Sequence, residues 1–196
     1  MRVQKKSAFL VIMSFVLLFA TGAAQAADTY KMDIKGTHAF IQFKIKHLGF
    51  SWLLGRFNKF DGTFTLDEKN IENSKVNVAI DVASLDSNHA ERDKHLRGKD
   101  FFNVSKFPNA SFKSTKVEKT GDKTAKITGD FTLKGVTKPV TLDTTYIGGG
   151  DDPWGGHRQG FEATTRIKLK DFGIDYNLGP AAEYAEIYIS IEGVRQ

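Results

Sequence analysis

Apolar and polar residues alternate with a period of two over most of this chain. Over positions 38–48, Ala39, Ile41, Phe43, Ile45 and His47 share one face, and Gln42, Lys44 and Lys46 the other, as in a half-buried strand. Positions 75–83 repeat the pattern, with Val76, Val78, Ile80 and Val82 set against Lys75, Asn77 and Asp81. The same alternation predicts strands over 30–34 (Tyr30, Met32, Ile34) and 56–66 (Phe60, Gly62, Phe64, Leu66), with Gly62 marking a bulge. It continues over 124–133 (Ala125, Ile127, Gly129, Phe131, Leu133) and 136–147 (Val140, Leu142, Thr144, Tyr146), where Pro139 marks a strand start or an edge. Phe161, Ala163, Thr165 and Ile167 keep step over 161–169, and Ala185, Ile187, Ile189 and Ile191 form the last strand. Positions 110–118 give a weaker strand around Phe112. The stretch 49–55, with Phe50, Trp52, Leu53 and Leu54, reads as a bend, and the Gly-rich 148–160 and the stretch 171–182 read as loops.

One stretch breaks the alternation. Positions 89–97 predict a short charged helix with Asn88 as its N-cap, acids early (Glu91, Asp93), a base late (Arg97) and Gly98 as the stop. Phe101, Phe102 and Phe107 follow, and Pro108 blocks a return to helix. This aromatic segment needs a buried place, which the strands around it must supply.

About eight strands joined by short turns, with one helical excursion, suit a sandwich or an up-and-down barrel. Sequential hairpins favour the antiparallel barrel, because neighbours in sequence pair in order. The chain has 16 phenylalanines, three of them (Phe9, Phe15, Phe19) in the first 26 residues, so the strands are unusually aromatic. A closed eight-stranded barrel is either filled by side chains or holds one ligand. Composition leaves both open.

The first 26 residues stand apart. Arg2, Lys5 and Lys6 precede an apolar run, and Ala24-Gln25-Ala26 forms a small-x-small site, the pattern of a cleavable export signal. The run is too short for a spanning helix, which needs ~20 apolar residues. A mature domain over 27–196 in the bacterial periplasm is expected. The formal charge of +5 loses those three cations and becomes +5 − 3 = +2. No basic block with interleaved aromatics points to nucleic acid. The chain has no cysteine, which excludes disulfides, thiolate metal sites, a thiol nucleophile and a lipidated cysteine.

Catalytic and cofactor patterns are missing. No HExxH, GxSxG, GxGxxG or GxxxxGK[ST] motif occurs. His89 and His95 are six apart on a helix and cannot face one ligand, and His38 and His47 point to opposite faces of a strand. Arg92 and Asp93 carry the most interest in the helix. A docked Arg92 needs a carboxylate or carbonyl partner, or it meets an anionic head group bidentately.

Several segments together resemble one family. They are 38–48 with Gly49-Phe50-Ser51-Trp52, the run Asn88-His89-Ala90-Glu91-Arg92-Asp93-Lys94-His95-Leu96, Asp100-Phe101-Phe102, and Gly135-Val136-Thr137-Lys138-Pro139-Val140. These are similar to the YceI-like family of exported bacterial proteins. Asp151-Asp152-Pro153-Trp154-Gly155-Gly156 and Ile167-Lys168-Leu169-Lys170-Asp171-Phe172 resemble its enterobacterial-type branch. The resemblance implies an all-β fold: an extended eight-stranded antiparallel, lipocalin-like barrel with an apolar lumen. It implies a polyisoprenoid, quinone-like or other amphiphilic lipid as ligand, often a homodimer, and no established reaction or cofactor.

On that expectation a lumen about 25 Å tall, from tilted strands of ~10 residues, suits a long hydrocarbon tail. Its expected lining is Ile41, Phe43, Ile45, Val78, Ile80, Ile127, Phe131, Leu142, Phe161 and Ile167, with Phe101 and Phe102 capping one end. The mouth is expected near the helix, where Arg92 or Lys94 meets a phosphate or quinone oxygen. The alternatives are an enzyme acting on such a lipid, and a stress-response structural module with a filled barrel.

Overall fold

A computed structural model describes residues 27–196. The proposed export signal, 1–26, lies outside the described residues. Eleven strand segments form one antiparallel sheet: β1 (Asp28–Met32), β2 (Ala39–His47), β3 (Ser51–Phe57), β4 (Phe60–Leu66), β5 (Lys75–Asp81), β6 (Leu85–Asp86), β7 (Asn109–Lys119), β8 (Thr124–Leu133), β9 (Val136–Asp151), β10 (His157–Lys168) and β11 (Tyr184–Arg195), with one α-helix, α1 (Ala90–Arg97). The eleven make eight staves, because three staves are interrupted. β1 and β2 lie end to end along β11, β3 continues into β4, and β5 continues into β6. β11 pairs with β10 on one side and with the β1/β2 stave on the other, which closes the barrel. The predicted strand segments are therefore present, 30–34 and 38–48 sharing one stave, and the eight staves follow in sequential up-and-down order.

The interruptions have local causes. At 33–38 the Asp33 carboxylate accepts the Gly36 N–H at 2.8 Å and Thr37 takes a left-handed φ of 60°. After β5, Val82–Ser84 turns as a single 3-10 loop, and the Val82 N–H donates to the Pro108 carbonyl. The predicted bend at 49–55 is instead mostly strand. Leu48 and Gly49 both have positive φ and the Phe50 N–H donates to the His47 carbonyl, so a three-residue connection built on a tight turn leads straight into β3. Trp52 and Leu54 face outward and only Leu53 is turned in, so the apolar run hid the alternation. The Gly-rich stretch also differs from its predicted loop: β9 runs on to Asp151 and β10 begins at His157. Gly62 is no bulge, since it sits opposite Val78 in unbroken register; the Met32 thioether fills the place of its missing Cβ. Pro139 fits the edge expectation, because β9 pairs there with β8 alone and the missing N–H faces no neighbour.

The helix caps one residue later than predicted: His89 is the N-cap, its ring nitrogen accepting the Arg92 N–H at 3.2 Å. Gly98 ends the helix as expected. Charged groups dock it. The buried Asp93 accepts from the Ser87 N–H (2.8 Å) and hydroxyl (2.5 Å), Arg92 donates to the Ser87 hydroxyl (2.7 Å) and carbonyl, and Arg97 donates to the carbonyls of Ala83 (2.8 Å) and Leu85.

At the end of the barrel away from the helix, a salt-bridge network ties the β1–β2 link to β10 and β11. Arg158 donates to Asp33 (2.7 Å), Asp152 (2.5 Å) and Glu192. Hydrogen bonds from His38 and then Arg158 lower the Asp33 carboxyl from 3.8 to about 2. A depressed carboxyl pKa stabilises the fold above its unfolded value, and that contribution disappears as pH falls through the folded value. Chemical denaturation should therefore give constant stability above about pH 5 and a loss between about pH 4 and pH 2. Asp33→Asn should flatten that slope by roughly 1–2 kcal/mol, after allowance for solvent screening. An unchanged acid limb in the variant would assign the slope to other carboxylates.

Candidate functional site

Period-two strands put every second side chain of each stave inside the barrel. They do not fill it. Phe64 lies flat against Gly193 and Phe112 against Gly129, each ring occupying the space a Cβ would need. Glycine in the wall thus lets the Phe64 and Phe112 rings recede into it. Tyr30 stacks on Phe64 (4.9 Å between centroids), and Phe161 meets Phe64 edge-on at 5.5 Å. The remaining lumen is a cavity of about 480 Å³ with an almost entirely apolar wall, within the range of small-molecule sites.

Eight of the expected lining residues stand on this wall: Ile41, Val78, Ile80, Ile127, Phe131, Leu142, Phe161 and Ile167. The others are elsewhere. Phe43 leans on Phe57 and covers Gly55, and Ile45 lies farther along β2 toward the hairpin tip. Phe101 is buried with Val82, Leu133, Phe172 and Ile174 in the cluster that closes the helix end of the barrel, and Phe102 packs edge-on against Phe57 beside it. The two rings thus sit at the capped end. Arg92 is engaged by Ser87 and does not reach the cavity wall.

The expected mouth near the helix is corrected by this geometry. The polar residues of the cavity rim, Glu68, Lys119, Asp122, Lys123 and Thr124, lie in the β4–β5 and β7–β8 connections or on the strand ends that flank the latter, at the opposite end from α1. The helix end is plugged because its loops carry the bulky apolar residues, 101–104 and 169–174.

Polar chemistry on the wall is sparse. Gln159 is buried and donates from its amide nitrogen to Glu68 at 2.9 Å. A carboxylate here only accepts, which fixes the amide orientation, and the amide oxygen has no partner. The Thr144 hydroxyl is likewise buried without a partner. Burial pushes the Tyr30 phenol up, opposed by the Gln159 amide. The carboxylates with lowered pKa, Asp33, Asp61, Asp67, Asp86 and Asp152, are held by lysine, arginine, histidine or amide donors, and none lines the lumen. Asp33, His38 and Glu192 could jointly hold a cation, but the Arg158 guanidinium already donates to two of them. Gln159 keeps the inward phase of Phe161, Ala163 and Thr165 and was open to sequence reading; the Arg158 network had no such signal.

Comparison with known proteins agrees with the fold. The model of the YceI-like domain matches residues 30–194. Protein YceI of Escherichia coli O157:H7 is 58% identical over 191 residues, 97% of this chain and 99% of that protein. The YceI protein of Campylobacter jejuni superposes with a TM-score of 0.71 at 30% identity, over 78% of this chain and 90% of that one. A polyisoprenoid binding domain from Saccharophagus degradans shares the fold alone, at 14% identity and a TM-score of 0.61, over 88% of this chain and all of that one. A closed antiparallel barrel with an open lumen, matched by that model along nearly its whole described length, makes this chain a member of the YceI-like family.

Proposed function

We propose that this protein is an exported carrier, working in the periplasm, that holds the long apolar chain of an isoprenoid or similar amphiphilic lipid inside its barrel. The observation that carries this reading is the apolar lumen of about 480 Å³ inside the barrel. Burying each methylene contributes ~0.8 kcal/mol, so a chain threaded along the lumen gains steadily with length. The polar rim, with Glu68, Lys119, Asp122 and Lys123, keeps a head group near water. The related fold from Saccharophagus degradans, described as polyisoprenoid binding, supports the ligand class. The carboxylates with displaced pKa values lie away from the lumen, which favours binding over acid–base chemistry on the lipid. The filled-barrel alternative does not fit the open lumen.

Protein purified from its native periplasm should yield a prenyl-chain lipid on solvent extraction and mass spectrometry. Repeated empty extracts, together with failure to take up a prenyl lipid in solution, would overturn the reading.

A further inference from the structure

Four of the large apolar residues exposed on this protein fall within seven positions of one hairpin: Leu48, Phe50, Trp52 and Leu54, of which Phe50 is 88% exposed. None of the four has a role in the lumen. The tip is a tight turn over Leu48, Gly49 and Phe50 at the helix end of the barrel, with Gly179 and Ala181 nearby. Behind it, on the outer face of β2 and β3, Lys44 and Lys46 lie over the Trp52 ring at 4.5 and 5.4 Å. Lys44 also reaches Glu186 at 3.0 Å. From Ala39 to Phe57 the chain carries Lys44, Lys46 and Arg56 and no acid.

We infer that this hairpin docks on the surface of an anionic phospholipid bilayer, with Phe50 and Leu48 inserted among the acyl chains, Trp52 at the interface and the two lysines on the phosphates. Each feature has its physical reason. A convex apolar tip enters a fluid surface without needing a shaped partner. Tryptophan prefers the interfacial zone. Lysines bury their stems and keep their ammonium groups at the head-group level. A second copy of this chain fits worse, because a two-fold contact sets a patch against itself and would turn the lysines beside Trp52 in one copy toward those in the other. A hairpin tip also offers too little area for a stable dimer, which buries ~800 Å² per partner. Docked this way, the protein stands with its lumen rim turned from the bilayer, so the contact is an attachment and not the route of lipid entry.

The chain has two tryptophans, Trp52 and Trp154, so Trp154→Phe leaves Trp52 as a single reporter. Flotation with vesicles of phosphatidylcholine mixed with phosphatidylglycerol should carry the protein up, and vesicles of phosphatidylcholine alone should carry far less. Trp52 emission should shift to the blue and be quenched by brominated acyl chains. Phe50→Ser should weaken binding at least about ten-fold, and Lys44→Glu with Lys46→Glu should remove most of it, as should high salt. Phe50 is exposed, so its replacement leaves the fold intact, which circular dichroism checks. No flotation with the anionic vesicles, or flotation indifferent to Phe50→Ser, would overturn the inference. So would a dimer by light scattering that Phe50→Ser dissociates, which would make the tip a self-interface. Lumen loading is read separately by solvent extraction.

Discussion

Ala163→Trp is expected to abolish uptake of a long prenyl chain while leaving the barrel folded. Ala163 is buried on β10, between Thr144 of β9 and Ile189 of β11, with its side chain on the lumen wall. An indole there projects into the cavity at mid-height. If it displaces about four methylenes of the ligand, binding loses ~3 kcal/mol, on the order of a hundred-fold in Kd. The effect on stability separates an open lumen from a packed core. Forcing a large ring into a filled core costs about 1–3 kcal/mol, whereas a ring entering an empty apolar space is tolerated or stabilises. Thr164→Trp, one residue on and facing outward, is the control that should bind normally. Prenyl-lipid titration with a fluorescent analogue and thermal unfolding of both variants provide the two readouts. Unimpaired binding by Ala163→Trp would place the lipid site outside the lumen.

Much of this architecture is legible in the sequence, for a simple physical reason. A barrel wall with one wet and one dry face writes its geometry into the chain with period two, so alternation alone puts Ile41, Val78, Ile127, Leu142 and Ile167 on the dry face, and the family resemblance makes that face a lumen. The helix is marked by Gly98 and by its ordered charges. What is not legible depends on contacts distant in sequence. Asp33 and Arg158 are 125 positions apart, and neither residue's neighbourhood specifies the other. The β2–β3 hairpin escapes because its outward face is apolar, which erases the alternation over 50–54. The end at which the lumen opens also escapes. Both ends carry charged residues, and only the folding back of 169–174 over Phe101 decides which is plugged. Arg92 illustrates the same limit: its charge is plain in the sequence, but the Ser87 carbonyl that satisfies it is fixed by the packing of α1 against β6.

Arg158→Ala should be among the most destabilising single replacements outside the apolar core. The guanidinium donates to three carboxylates whose side chains are 13%, 7% and 35% exposed. Those bonds raise its pKa and hold Asp33 and Asp152 low. Removing it leaves the carboxylates of Asp33, Asp152 and Glu192 around an unfilled space. Breaking a buried pair in this way costs ~3–5 kcal/mol; partial access to solvent brings the expected loss to about 2–3 kcal/mol. For a domain of this size that corresponds to a fall of roughly 5–10 °C in Tm. The pH dependence gives the sign. In the wild type the depressed Asp33 pKa means stability is lost as pH falls below about 4. In the variant the carboxylates repel one another, their pKa values rise, and acid relieves the repulsion. The gap between wild type and variant should therefore narrow from pH 7 to pH 3. Arg158→Lys, which keeps one charge without the planar fork, should recover only part of the loss. Equal midpoints for wild type and Arg158→Ala at pH 7 would show that the network is a solvated surface cluster. The β1–β2 link would then owe its position to the ladders with β11 and β4, and the rim beside Gln159 would not depend on this charge.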